Sequence, residues 1–188
     1  MLVRRLKNET VSLHRDVERA VRVMDDGFSA GDYRAYLAAL YGFFEPLEQQ
    51  LSRRAEWPDG FSLSPRLKAP LLAADLEVLG VAAAALPRCA ALPAVETLSQ
   101  ALGALYVTEG ATLGGRLVRN RLADRLPELD GATAYLACYG PRTDAMWRSL
   151  GETLEAAPDP DQAVAAACET FRCLRGWLEP TRGAHVAA

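Results

Sequence analysis

The chain has 188 residues, half of them hydrophobic and 24% charged, which suits one globular unit with a core of its own. Its formal net charge of -3, with no run of lysine or arginine, offers no electrostatic footprint for nucleic acid or an anionic membrane surface. The basic opening MLVRRLKNETVSLH is not followed by the apolar stretch of a signal peptide or spanning helix, so the expectation is a cytoplasmic protein of one domain, residues 1–188.

Apolar residues recur at helical spacing along nearly the whole chain, and alternating strand patterns are missing, so the class is all-α. A first helix is predicted over 2–24, with Leu6, Leu13, Val17, Val21 and Met24 inward and Arg4, Arg5, Arg15 and Arg19 outward. Asp32 reads as the N-cap of a second helix with Tyr36, Leu37, Leu40, Phe44, Leu47 and Leu51 on one stripe and a kink about one turn before Pro46. Ser64 and Pro65 open a third helix that runs to Gly80. A short helix or connector follows over 81–92, then a glycine-bearing helix over about 94–126. Two amphipathic helices, 143–155 and 161–178, flank the breaker APDPD, and 181–188 reads as a frayed tail.

Cys89, Cys138, Cys168 and Cys173 form no CxxC pair, and with only His14 and His185 there are too few ligands for a usual zinc site; buried reduced thiols are expected. The unusual feature is GALYVTEGATLGGRLV, residues 103–118, which carries four glycines in a segment that otherwise favours helix. Each costs about 1 kcal/mol relative to alanine, so something must offset several kcal/mol. Helical spacing puts Gly103, Gly110 and Gly114 on one face around Val107, with Gly115 at its edge. Either a neighbouring helix or a flat ligand could use that bare backbone, and paired glycines should kink the helix in both cases. His14 lies beside the apolar stripe of the first helix, where an imidazole is either a packed side chain or one axial ligand of a haem iron. Lys7, two turns earlier on the same face, together with Tyr106 and Arg148, could meet haem propionates; each could equally be an ordinary surface side chain.

LKNETVSLHRDVE and LGALYVTEGATLGGRLV resemble the proximal and distal helices of the haem oxygenases, most of all the bacterial group that includes the bacteriophytochrome-associated enzymes. Weaker similarity runs through DYRAYLAALYGFFEPLE, DLEVLG, WRSLGETLE and ETFRCLRGWLE. The resemblance implies a multi-helix bundle that sandwiches haem between the first helix and a kinked, glycine-rich distal helix. It implies His14 as the proximal iron ligand and Gly110, Gly114 and Gly115 as the distal glycines. Lys7, Tyr106 and Arg148 would contact propionates, and Phe171 would form a pocket wall. Gly110 and Gly114 would crowd bound dioxygen toward a meso carbon. The implied reaction cleaves haem to biliverdin, carbon monoxide and ferrous iron, with electrons from a ferredoxin, a flavodoxin or a reductase and a phytochrome as one destination for biliverdin.

The sequence departs from the family at Ala111, where many members carry aspartate or serine to order distal water. Thr112, Glu109 or backbone carbonyls could hold that water instead, although Glu109 reads more simply as a solvated surface charge. Three other functions stay open: a haem carrier of the same fold, a thiaminase-type helical enzyme, and a purely structural helical partner. A di-iron bundle is rejected because no Glu-x-x-His pair exists.

Overall fold

A computed structural model describes residues 1–54 and 56–179; the expected frayed tail and His185 lie outside them. Among the described residues seven α-helices form an all-α bundle: α1 Leu2–Val21, α2 Ala30–Ser52, α3 Ala69–Val78, α4 Leu98–Arg125, α5 Ala134–Ala137, α6 Thr143–Glu155 and α7 Pro160–Leu178. The central element is α4, which packs on α5, α6 and α7, while α1 packs on α6 and α7, and α2 covers α3.

Local chemistry sets most of the ends. Residue Ser29, rather than Asp32, caps α2: its hydroxyl accepts from the Asp32 backbone N–H at 3.2 Å, and the Asp32 carboxylate accepts from the Ser29 N–H at 2.9 Å. Asp32 is thus the third residue of a capping box. Thr97 and Gln100 form the same device at the start of α4. The first helix stops three residues short of its predicted end because Arg22 adopts left-handed geometry (φ 54°, ψ 18°), which leaves Met24 outside the helix and exposed.

Other ends depend on distant residues. No side chain of its own caps α1, α3 or α5. Instead Glu155 of α6 accepts from the N–H groups of Leu2 and Val3, Glu48 of α2 from those of Lys68 and Ala69, and Asp75 of α3 from those of Ala134 and Tyr135, at 2.6–3.1 Å. Each carboxylate satisfies orphan donors and meets the positive end of a helix dipole. The Glu48 cap also divides the predicted third helix into a 3-10 turn, Ser64–Arg66, and α3. Pro46 sits inside α2 without ending it. The carbonyl it leaves without a helical donor, that of Gly42, accepts from the Cys89 N–H at 2.8 Å. Gly42 itself permits this approach: a Cβ there would lie 2.6 Å from the Pro87 carbonyl oxygen.

The core is aliphatic and aromatic, with Leu6, Tyr33, Leu37, Phe43, Phe44, Leu47, Leu72, Leu76, Leu102 and Leu150 all but inaccessible. Tyr33 donates to the Ala132 carbonyl at 2.8 Å, which satisfies the one polar atom of a buried ring. Although four glycines weaken it, α4 is one unbroken helix over its 28 residues, and the chain bends near Gly140, between α5 and α6. The cysteines are free, Cys89 buried and the others half-buried.

Candidate active site

Helices α1 and α4 are tied at two levels. At one, midway along α1, the Tyr106 hydroxyl interacts with that of Thr10, and burial raises the Tyr106 pKa. At the other, Asp26 just beyond α1 accepts from Arg121 at 2.8 Å and Arg125 at 2.6 Å. Between these ties burial falls away on both helices. No residue of α1 after Thr10 is buried, and on α4 Ala111, Leu113, Gly114 and Leu117 are exposed, Leu117 to 65%. Each helix packs firmly on α7, whereas they make no comparable contact with each other. Taken together, these exposures and packings outline a slot, with α1 and α4 as walls and α7 as floor.

The four glycines of α4 divide sharply. A Cβ on Gly103 would fall within 3.0 Å of the Ala163 carbonyl oxygen and the Ala166 side chain of α7, and one on Gly115 within 3.0 Å of the Leu136 carbonyl oxygen of α5. Helix packing therefore explains why those two lack side chains. Gly110 and Gly114 have nothing within 4 Å along the Cβ direction. Their bare backbone faces open space, and packing does not require it.

His14 is on the other wall, its side chain 49% exposed, with its ring edge against Phe171 of α7 at 5.8 Å between centroids and 80° between planes. Its Nδ1 lies 3.5 Å from the Glu18 carboxylate, an arrangement that turns Nδ1 to a carboxylate and leaves Nε2 for another partner. Tyr106 stacks obliquely on Trp147 of α6, 5.6 Å between centroids, which brings the residue before Arg148 to the same end of the slot. Lys7, on the turn before Thr10, and Arg148 are exposed, and neither has a side-chain hydrogen bond or ion pair among the described residues.

Glu109 overturns its sequence reading. It is 1% exposed, and both carboxylate oxygens are occupied: Oε2 accepts from Arg66 at 2.7 Å, and Oε1 accepts from Tyr139 at 2.6 Å and from Lys68. Lys68 also donates to Tyr139 at 2.7 Å and to the Arg66 carbonyl, and Arg66 reaches the Met146 carbonyl at 3.1 Å and Ser149 at 3.3 Å on α6. Burial and the Glu109 carboxylate push the Tyr139 phenol well above its ordinary range. Arg66, Lys68 and Tyr139 did not stand out in the sequence, and Glu109 entered only as a possible water anchor. A signal existed for one: Glu109 follows Leu102 and Leu105 at helical spacing on the buried stripe of α4. Thr112 donates its hydroxyl to the Glu109 carbonyl at 2.7 Å, so its one proton is committed within α4 and is not available to a distal water.

An all-α bundle that leaves an imidazole beside one helix and bare backbone on another offers a surface suited to a flat ligand. The haem oxygenase family model matches residues 1–179, and the chain belongs to that family. It is 31% identical over 160 residues to a haem oxygenase of Xanthomonas campestris pv. campestris (strain 8004), covering 80% of this chain and 93% of that protein. In fold it is similar to the NO- and CO-bound haem oxygenase of Neisseria meningitidis, with a TM-score of 0.75, 24% identity, and 97% and 92% of the two chains covered. The haem oxygenase of Leptospira interrogans gives a TM-score of 0.74 at 18% identity, over 95% of this chain and 98% of that one.

Proposed function

We propose that this single-domain protein binds haem in the slot between α1 and α4 and opens the porphyrin to biliverdin, carbon monoxide and ferrous iron. The observation that carries the reading is the open face of Gly110 and Gly114 on a helix whose other two glycines are consumed by packing. Haem fits the residues present. His14, oriented by Glu18 and by the Phe171 ring, would hold the iron through Nε2, and Lys7, Tyr106 and Arg148 would form the polar end suited to propionates. Gly115 contributes to the slot through its packing on α5, and Gly110 and Gly114 leave its distal wall without side chains.

When bound, haem supplies both the oxygen-binding iron and the carbon skeleton that is oxidised. The protein's part is to hold the macrocycle and limit the room above it. Backbone at Gly110 and Gly114 would present a low wall that leaves room for a small ligand, whereas any side chain there would fill the space. Electrons come from an external carrier, a ferredoxin, flavodoxin or reductase, and a bacteriophytochrome is a fitting acceptor of the biliverdin. No helix among the described residues is long and apolar enough to cross a membrane, and we place the reaction in the cytoplasm.

Purified protein given haemin, a reductant and oxygen should yield biliverdin, and His14→Ala should lose the native Soret band. An unchanged Soret band in that variant would overturn the ligand assignment. A second reading, a haem carrier, is favoured by one feature: Ala111 is an exposed methyl where water needs an anchor, and Glu109 beside it is fully engaged. Haem binding without biliverdin under those conditions would select it.

A further inference from the structure

The open face of α4 poses a mechanical problem. Around Gly110 the helix has lost the propensity of a side chain and has no neighbour on its slot side. A backbone that must stand at a fixed height over a ligand therefore has to be held from behind. Glu109, next in the chain and about 100° round the helix, points away from the slot into a socket drawn from three separate stretches: Arg66 and Lys68 before α3, Tyr139 before α6, and Met146 and Ser149 on α6. Such a buried ion cluster is weak evidence of added stability, since an apolar replacement is often as good. It also leaves the Arg66 Nε without a partner among the described residues.

The charges do not cancel. Two cations, Arg66 and Lys68, share one carboxylate in a region from which water is excluded. The other titratable groups facing the cluster are Tyr139, Cys138 and Glu48. Burial raises the first two, which keeps them neutral, and pushes Glu48 up to about 7, so that it is only partly ionised near neutrality. We infer that Glu109 is a positioning residue, a buried peg whose socket of Arg66, Lys68 and Tyr139 seats the Gly110 turn of α4 and backs the slot with net positive charge.

The seating half of this inference needs no haem, and only the field half rests on the haem-binding reading. In haem-free protein, Glu109→Gln should speed hydrogen exchange of amides 107–115 about tenfold or more while leaving the interior of α2 around Phe43 unchanged. Tyr139→Phe, which removes one hydroxyl and keeps the ion pairs, should do the same more weakly and serves if Glu109→Gln does not fold. Glu45→Gln, which breaks the partly exposed pair with Arg88, should leave those amides alone. Unchanged exchange at 107–115 in the folded variants, or an even increase through every helix, would overturn the seating role.

With haemin bound, a positive field favours the more negative of two protonation states on the open side of the haem. Relative to the parent, the pH midpoint of the visible-spectrum change should then fall in Glu109→Gln, which frees a cation, and rise in Lys68→Met, each by about half a pH unit or more. A loosened wall alone would move both midpoints the same way, and that result would overturn the charge assignment. Failure to bind haemin would count against the proposed function, while the exchange experiment would still decide the seating.

Discussion

Gly103 and Gly110 lie seven residues apart on one face of the same helix, yet they are glycine for different reasons. At Gly103 the backbone of α7 presses so close that a methyl group has no place; at Gly110 that neighbour is gone and the face looks into a slot. Gly115 and Gly114 repeat the contrast on adjacent residues, the first against the Leu136 carbonyl and the second against nothing. Small residues permit close approach, but whether a helix or a ligand makes the approach is decided by what surrounds them.

The sharpest way to break this comparison is to add side chains to each kind of glycine and measure haem-free stability by urea unfolding. Gly103→Val should lose the most, about 3 kcal/mol or more, because the intruding atoms meet backbone and a short alanine side chain that cannot swing aside. Gly115→Ala should cost about 1–3 kcal/mol for the same reason against Leu136.

A pH effect of comparable size should come from the buried cap of α3. The Glu48 carboxyl is raised to about 7 in the folded state by burial, against an ordinary value of 4.5. The folded protein therefore holds a proton that the unfolded chain has released between those values. Its contribution is fully present below about 4.5 and is lost as pH rises through about 7. Urea midpoints measured from pH 5 to 8 should fall more steeply in the parent than in Glu48→Gln, and equal slopes would refute the assignment.

Gly110→Ala and Gly114→Ala should go the other way. With open space at both positions, each should raise haem-free stability by about 0.5–1 kcal/mol through helix propensity, while biliverdin formation falls. Destabilisation would show that this face is packed after all. The smallest shift belongs to His14→Ala, within about 0.5 kcal/mol in haem-free protein because the side chain is half exposed, and this same change should remove the native haem ligation.

Much of this architecture was legible in the residues. The helical period located six helices to within a few residues, since it reflects side-chain placement that the backbone imposes locally, and the resemblance drew His14 and the glycines into one hypothesis. Four-residue α5 was too short to leave a period, and Asp32 was mistaken for a cap because the true one, Ser29, lies behind a glycine at the edge of a loop. The site was legible in part: His14 and Phe171, named separately from the sequence, stand ring to ring, whereas Glu109 looked like surface charge until Arg66, Lys68 and Tyr139 closed around it.

By itself the sequence determined that this chain is helical, where most of its helices run, and which glycine-rich segment departs from helical habit, because those properties depend on neighbours within a turn or two. Only the tertiary structure decided that two glycines are packed and two are open. It also decided that three helices are capped by carboxylates at least 20 residues away and that the glutamate beside Gly110 is buried in an ionic socket. Those outcomes depend on which distant backbone or charge arrives at a given face, and local spacing carries no record of that arrival.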